Sequence, residues 1–263
     1  MTVKLEDAGL DRFKRISTIA NMNPVYCRES STISEVVEKM IKTNYRRMPI
    51  ASKDGKLIGV LTTSDILDAF LKAGDFSEKI STIMIRDVIF CEADDTLDFV
   101  LQKFKLSRRG GFPITEKGKL AGIVSERDFV KRFSNVDFGL KVEDCMTKKP
   151  FFIHPNMSIF DCIKSLVNSH YRRLPVVDGG KLIGITTTAD LVNYIYTHKL
   201  RREDTDEDMD AVVIKDICTI TKDMDLRDAI MLMKEKDVGG ILVVDGYKLE
   251  GIITERDILE EII

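Results

Sequence analysis

Hydrophobic and polar positions along this chain follow one pattern that is repeated four times. In its first occurrence, Ile33, Val36, Val37, Met40 and Ile41 recur at the spacing of a single helix face. Thr32 precedes them, with Glu35 three residues on, so the two form a capping box at the helix start. The short apolar run Pro24 to Cys27 predicts a strand before that helix. Met48 to Ala51 and Leu57 to Leu61 predict two more strands, joined as a hairpin by the turn dipeptide Asp54-Gly55. A second helix is predicted from Thr63 to Lys72. The unit is β-α-β-β-α.

The same order returns three times. The second unit predicts a strand at Val88 to Cys91, a helix after Thr96, a strand Phe112 to Ile114, a turn at Lys117-Gly118, a strand to Val124 and a helix from Glu126. The third predicts a strand Phe151 to Ile153, a helix capped by Ser158 with Asp161 three residues on, and a hairpin at Asp178-Gly179-Gly180. The fourth predicts a helix capped by Asp225, a hairpin at Asp245-Gly246 and a last helix ending at Ile263. The most regular phrase is a Gly-containing strand followed by [Ser/Thr]-x-x-Asp, closing on Asp65, Asp128, Asp190 and Asp257 at spacings of 63, 62 and 67 residues. A fixed period of this length marks a repeated supersecondary unit. The repeats are set at 13–74, 79–136, 141–200 and 211–263. Residues 1–12 read as a leader or an extra helix. Arg201 to Asp210, dense in charge and without period, reads as a solvated loop.

The copies differ in pairs. Before the second strand, repeats 1 and 3 carry Tyr45-Arg46-Arg47 and Tyr171-Arg172-Arg173, whereas repeats 2 and 4 carry Gly110-Gly111 and Gly239-Gly240. The closing turns alternate likewise: Thr-Thr-Ser-Asp and Thr-Thr-Ala-Asp in repeats 1 and 3, Ser-Glu-Arg-Asp and Thr-Glu-Arg-Asp in repeats 2 and 4. Two modules of two repeats, 1–136 and 137–263, account for this alternation.

Composition narrows the class. The chain has 263 residues, 44% hydrophobic and 32% charged, as in an ordinary globular protein. A net charge of -3 disfavours general nucleic-acid binding. No run approaches the roughly 18–20 apolar residues that cross a bilayer, and the charged N-terminus lacks the apolar centre of a signal peptide. Cytoplasm is the expected location, with no membrane association. Five scattered cysteines without a Cys-x-x-Cys pair and three histidines without ligand spacing give neither a disulfide framework nor a metal site. Phosphate-loop, dinucleotide-fold, metalloprotease and nucleophile-elbow motifs are all missing, so no catalytic residue is assigned and no enzyme is expected.

The closing turn carries the chemistry. A helix N-terminus offers free N–H groups and partial positive charge to a phosphate. In Ser125-Glu126-Arg127-Asp128, the hydroxyl and the guanidinium add donors, and the two-oxygen Asp128 carboxylate suits the paired O–H donors of a ribose diol. A capping box of the same composition, worth about 1 kcal/mol to a helix, is the alternative reading of a single copy.

The β-α-β-β-α unit of about sixty residues, the proline-led second strand and the Gly-h-h-[Ser/Thr]-x-x-Asp phrase resemble the CBS domain, named after cystathionine β-synthase. The resemblance covers about Phe13 to Ile263. It implies an α+β fold in which two repeats pair about a pseudo-two-fold axis as a Bateman module, and two modules form a disc. Four repeats in one chain are similar to the γ subunit of AMP-activated protein kinase and its archaeal stand-alone relatives, which implies energy or metabolite sensing. In that family each cleft is composite, with the closing turn from one repeat and the first strand and pre-proline pair from its partner. The resemblance then implies that Ser125, Arg127 and Asp128 face Arg46 and Arg47, and that Thr254, Arg256 and Asp257 face Arg172 and Arg173. Thr62 and Asp65 would face Gly110 and Gly111, and Thr187 and Asp190 would face Gly239 and Gly240. Val25, Val60, Ile89, Ile123, Phe151, Ile185 and Ile252 would line the base. On this reading the clefts of Asp128 and Asp257 are rich in arginine and prefer AMP, ADP or ATP. The Gly-lined pair is weakly charged and suits an uncharged or cationic adenosyl group, or stays empty.

The expected function is that of an adenine-nucleotide-binding regulatory protein without a catalytic cofactor, acting in trans on a kinase, enzyme or transporter, with a homodimer as one possible assembly. A sensor of S-adenosylmethionine-type ligands and an interaction scaffold without a strong ligand are the alternatives.

Overall fold

A computed structural model describes residues 4–262. Repeat 1 comprises β1 (Cys27–Arg28), α1 (Ile33–Thr43), β2 (Arg47–Ala51), β3 (Leu57–Thr62) and α2 (Thr63–Ala73). Repeat 2 comprises β4 (Cys91–Glu92), α3 (Leu97–Ser107), β5 (Gly111–Glu116), β6 (Lys119–Ser125) and α4 (Glu126–Val130). A short helix α5 (Val142–Cys145) and strand β7 (Thr147–Lys148) lead into repeat 3, with α6 (Ile159–Ser169), β8 (Arg173–Asp178), β9 (Lys181–Thr187) and α7 (Thr188–His198). Repeat 4 closes with β10 (Thr219–Ile220), α8 (Leu226–Lys236), β11 (Gly240–Asp245), β12 (Lys248–Thr254) and α9 (Glu255–Glu260). The fold is the α+β array of four β-α-β-β-α units that the pattern predicts.

In each repeat the hairpin is antiparallel and the first strand lies parallel to it, as in Cys27↔Ile50 and Cys91↔Ile114. The register places the second residue of each Arg-Arg or Gly-Gly pair opposite the motif hydroxyl of its own repeat. Arg47 pairs with Thr62, Gly111 with Ser125, Arg173 with Thr187 and Gly240 with Thr254. The Thr32 cap forms as predicted, its hydroxyl accepting from Glu35 N at 3.2 Å while Glu35 accepts from Thr32 N at 3.0 Å.

Several expectations are corrected. The predicted first strands are only two residues long in repeats 1 and 2, and in repeat 3 they shrink to a single bridge, Ile153↔Val176. The residues just before them, including Tyr26, Ile89, Phe90, Phe151 and Phe152, are exposed rather than paired in a sheet. Asp225 occupies the start of α8 without a side-chain cap bond; its backbone bridges Lys141 instead. Arg201 to Asp210 is not an open loop. It forms two 3-10 turns, Arg202–Asp206 and Met209–Ala211, that bury Thr205 and Met209 completely. Leu5, in a 3-10 turn at Leu5–Ala8, is buried in the core. The last helix ends at Glu260, and Ile263 and residues 1–3 lie outside the described residues.

The cores do not follow sequence order. One apolar core joins repeats 1 and 3, with Val37, Ile66 and Phe70 against Ile163, Leu166 and Val192; another joins repeats 2 and 4, with Val100, Phe112 and Phe129 against Ile230, Ile253 and Ile258. The lead segments decide the pairing within each module by crossing over. Ile16, ahead of the first strand of repeat 1, is buried in the repeat 2/4 core and donates its N–H to Asp95 O at 2.7 Å; Ile80, ahead of the first strand of repeat 2, is buried in the repeat 1/3 core and donates to Ser31 O at 3.0 Å. Val142 and Met209 repeat the exchange between repeats 3 and 4. The invariant glycine of the third strand makes room for this crossing. A Cβ on Gly122 would sit 2.9 Å from Asn21 O, and one on Gly59 would sit 2.9 Å from the Met84 sulfur. Real side chains do not approach so closely, so the phrase h-Gly-h-h records where a partner's lead segment passes over the sheet.

Candidate ligand-binding site

Each closing turn is both a cap and an acceptor. Asp65 Oδ2 accepts from Thr62 N at 2.8 Å and from its hydroxyl at 2.6 Å. Asp128 Oδ2 accepts from Ser125 N at 2.7 Å and Oγ at 2.8 Å, and Asp257 Oδ2 accepts from Thr254 N and Oγ1, both at 2.7 Å. Asp190 Oδ2 accepts from Thr187 N at 2.9 Å. Within the described residues all these bonds fall on Oδ2, so capping leaves Oδ1 available to a ligand hydroxyl. The capping and ribose readings therefore use different atoms of one carboxylate.

The Arg and Gly pairs are complementary surfaces rather than walls of separate clefts. A Cβ on Gly111 would overlap the Arg47 guanidinium, and one on Gly240 would overlap that of Arg173. Gly110 lies against Arg172, and Gly239 against Arg46 and Glu255. This corrects the expectation of two weakly charged, Gly-lined clefts: where repeats 2 and 4 lack a side chain, a guanidinium from repeat 1 or 3 fills the space.

Across the module boundary, repeats 2 and 4 exchange ion pairs. Arg127 Nε donates to Glu255 Oε1 at 2.6 Å, and its Nη1 to Asp237 at 3.0 Å. In return, Arg256 donates to Glu126 Oε1 from Nη2 at 2.6 Å and from Nε at 2.9 Å, and Arg172 stands 3.7 Å from the same carboxylate. Glu126 and Glu255 are buried. At the corresponding place between repeats 1 and 3, the Thr63 and Thr188 hydroxyls share a buried 2.8 Å hydrogen bond. Sequence reasoning left the two glutamates and the two threonines without a role. It also gave Arg127 and Arg256 to phosphate alone, whereas each is held in part by a glutamate of the other module. The legible signal was the Glu-Arg order in both alternating turns, which two facing copies satisfy reciprocally.

Two cavities collect most of the predicted residues. One of about 260 Å³ is lined by Ser125, Arg127, Asp128, Ile123, Arg46 and Arg47, joined by Tyr45, Asn21, Arg172 and Glu255. The other, of about 720 Å³, brings Thr254, Arg256, Asp257 and Ile252 together with Arg172, Arg173 and Phe151. It also holds Thr62, Asp65, Gly110 and Arg47, so the Asp65 and Asp257 clefts open into one space. Val60, Ile89 and Gly111 line a narrow slot of about 60 Å³ that shares Arg47, Thr62 and Arg109 with it. Thr187, Asp190, Gly239 and Gly240 line none of these three spaces. Nor do Val25 and Ile185, which pack against apolar clusters instead. Asn21 and Tyr45, joined by a 2.8 Å hydrogen bond, line the smaller cavity where Val25 was expected.

The electrostatics favour an anion. Arg47 Nη1 and Arg127 Nη2 are buried without a hydrogen-bond partner among the described residues. Burial, reinforced by neighbouring Arg172, pushes the Arg47 guanidinium down to about 10; burial with Arg46 and Arg172 beside it pushes Arg173 down to about 9. Arg46 is lowered by burial as well. Burial raises the Asp128, Asp190 and Asp257 carboxyls against the lowering effect of their Ser or Thr hydrogen bonds. No group of three or more His, Cys, Asp or Glu among the described residues is arranged to hold a metal ion, and no described helix is long and apolar enough to cross a membrane.

The four-fold motif also matches a known family directly. The family model of the CBS domain matches residues 16–72, 80–135, 142–197 and 209–263. The chain belongs to the CBS-domain family. Among its CBS-domain relatives, uncharacterized protein MJ1225 of Methanocaldococcus jannaschii is 27% identical over 94% of this chain and 99% of its own length. The crystal structure of MJ1225, proposed to be an archaeal homologue of γ-AMPK, superposes with a TM-score of 0.85. An uncharacterized 33.4 kDa protein of the Thermofilum pendens ribosomal RNA operon is 26% identical over 88% of this chain and 85% of its own. A conserved protein from Pyrococcus horikoshii, 22% identical, shares the fold over 94% of this chain and 98% of its own at a TM-score of 0.63.

Proposed function

We propose that this four-repeat CBS protein is a regulatory sensor of adenine nucleotides, without catalytic activity of its own, that acts on a separate partner protein. The observation that carries this reading is the pair of buried, unpartnered guanidinium nitrogens, Arg47 Nη1 and Arg127 Nη2, on residues lining cavities that also hold motif carboxylates. A buried donor left unsatisfied costs about 1–3 kcal/mol, more when charged. A phosphate oxygen would remove that cost. The carboxylate Oδ1 atoms supply acceptors for a ribose, and Ile123, Ile252 and Phe151 supply apolar surface for a base. The excess of arginine in both cavities favours phosphorylated adenosine over the cationic sulfonium of S-adenosylmethionine. Resemblance to a protein proposed as an archaeal homologue of γ-AMPK supports a regulatory role, with a kinase, enzyme or transporter as the partner class.

Binding would bias the reciprocal Arg–Glu pairs between modules, because a phosphate competes with Glu255 and Glu126 for the same guanidiniums. Such a shift is what a partner could read. The test is calorimetric titration and thermal shift with AMP, ADP, ATP and S-adenosylmethionine. At 100 Kd of a true ligand, stabilisation is about 2.7 kcal/mol, or about 5–10 °C in a chain of this size. Asp128→Ala and Asp257→Ala are expected to lose AMP. Loss with Asp65→Ala alone would overturn that site assignment, and silence toward every adenosine compound would overturn the function.

A further inference from the structure

We infer that the outer face of α3, with Phe13 beside it, docks an acidic, amphipathic helical segment of the partner protein. This rests on the part of the reading above that assigns a separate partner, and not on its nucleotide. Phe99 and Leu106 lie seven residues apart on one face of the helix, about 10 Å along its axis, and are 53% and 86% exposed. Lys103 stands between them, its ammonium 5.4 Å from the Phe99 ring centroid and donating to the carbonyl of Phe90, whose ring is exposed as well. At the start of the helix, Leu97 and Asp98 donate their N–H groups to Lys14 O at 2.9 Å and Arg12 O at 3.1 Å. That pairing sets Phe13, 75% exposed, at the end of the stripe. None of these side chains lines either of the two cavities.

The other three repeats serve as internal controls. Counted from the helix caps, the places of Phe99 and Leu106 are taken by Glu35 and Lys42, by Asp161 and Asn168, and by Asp228 and Glu235. Phe99 and Leu106 belong to neither apolar core. Phe99 also forgoes a bond: Thr96 accepts from Phe99 N, but a phenyl ring cannot return the bond that Glu35 returns to Thr32 N. Charge then selects the occupant. From Leu97 to Arg109, Asp98 is set against Lys103, Lys105, Arg108 and Arg109, whereas the same stretch balances to zero in the other three repeats. Asp98 is itself paired with Arg12 at 2.7 Å. A second copy of the chain would bring this cationic face against itself in an isologous contact, where like charges repel. An anionic bilayer is uniform, whereas charges are mixed around Phe13, with Asp11 and Asp98 among Arg12 and Lys14, and wholly cationic past Leu106. A helix with apolar residues at i, i+4 and i+7 and carboxylates gathered toward one end answers both the stripe and that gradient.

The experiment is fluorescence anisotropy of the full chain with a labelled helical peptide of about 20 residues, leucines along one ridge and glutamates flanking it. Its controls are the same ridge flanked by lysines and the same glutamates around a serine ridge. The test variant takes its residues from the other repeats, Phe99→Glu with Leu106→Asn. The parent is expected to bind the glutamate-flanked peptide at least about tenfold tighter than either control, and the variant to lose about tenfold. Its Tm should equal or exceed the parent's, because Glu completes the cap; a Tm that falls marks the stripe as packing and overturns the inference. Equal affinity for all three peptides, or a variant that binds as the parent does, overturns it too. Preference for phosphatidylglycerol vesicles over the peptide, lost in the variant, assigns a membrane surface instead, and a dimer in sedimentation that the variant dissociates assigns a second copy; either result overturns the proposal. ATP titrated into the same samples keeps the two readings apart. A variant that keeps ATP and loses the peptide supports docking, whereas peptide binding without ATP binding leaves docking standing and removes the nucleotide.

Discussion

Replacing Glu126 by Gln isolates the contribution of the central charge exchange. The Glu126 carboxylate is 3% exposed at its side chain and accepts twice from Arg256, whose side chain is 26% exposed. Removing one partner of a buried pair costs about 3–5 kcal/mol because the other charge is left uncompensated. Arg256 reaches some water and Gln retains one acceptor oxygen, so the expected loss is about 2–3 kcal/mol. Arg172, at 3.7 Å and more than a third exposed, adds little. In a chain of this length that loss lowers Tm by about 4–12 °C. Differential scanning calorimetry of the nucleotide-free protein measures it, with Asp237→Asn as reference, since Asp237 is 54% exposed and its loss should cost under about 1 kcal/mol. The sign of the ligand response is the second half of the test. A nucleotide phosphate supplies the negative charge that Gln lacks, so ATP should stabilise the variant more than the parent. A Tm shift no larger than that of Asp237→Asn, or a smaller response to ATP than in the parent, would refute the idea that the central carboxylates and a ligand phosphate answer to the same arginines.

Gly240→Ala should destabilise by about 1–3 kcal/mol through overpacking, because the new methyl falls on the Arg173 guanidinium; chemical denaturation measures it, and Gly246→Ala, at a turn with φ of 60° and open space around it, separates backbone strain from the clash. Thr63→Val leaves the Thr188 hydroxyl buried without its partner and should cost about 1–3 kcal/mol, whereas the double variant with Thr188→Val should recover part of the loss in the same assay. Burial, with Arg46 and Arg172 beside it, holds the Arg173 guanidinium below its ordinary value, so burying this charge opposes folding wherever it stays protonated.

Local structure was largely legible in the residues. Thr32 with Glu35, the apolar stripe of α1 and the Asp54-Gly55 turn each depend on neighbours a few positions away, which periodicity reports directly. Who packs against whom was not. The stripe of α1 announces an apolar face without saying that repeat 3 completes its core, and Ile16 looks like any buried isoleucine until the chain crosses to repeat 2. The motif aspartates were readable as helix-cap acceptors, because [Ser/Thr]-x-x-Asp at a helix start states that role directly. The meaning of the glycine pairs was not, since an absent side chain names no occupant; only the fold shows that Arg47 and Arg173 lie there. The short first strands erred for a related reason, because apolar residues at a cleft mouth carry the same signature as a paired strand.

The crossing of lead segments and cores has a consequence for how the chain can be divided. Cutting between the modules would not yield two self-sufficient halves, for each would keep one side of both apolar cores and expose it to water. The connecting stretch is itself walled in, with Val136 and Phe138 nearly inaccessible. Fragments severed there should behave as halves of a split protein, poorly soluble apart and self-assembling when mixed, with the covalent link setting their effective concentration rather than their fit. Gene fusion, in such a design, would fix the stoichiometry of an interface whose specificity is already complete.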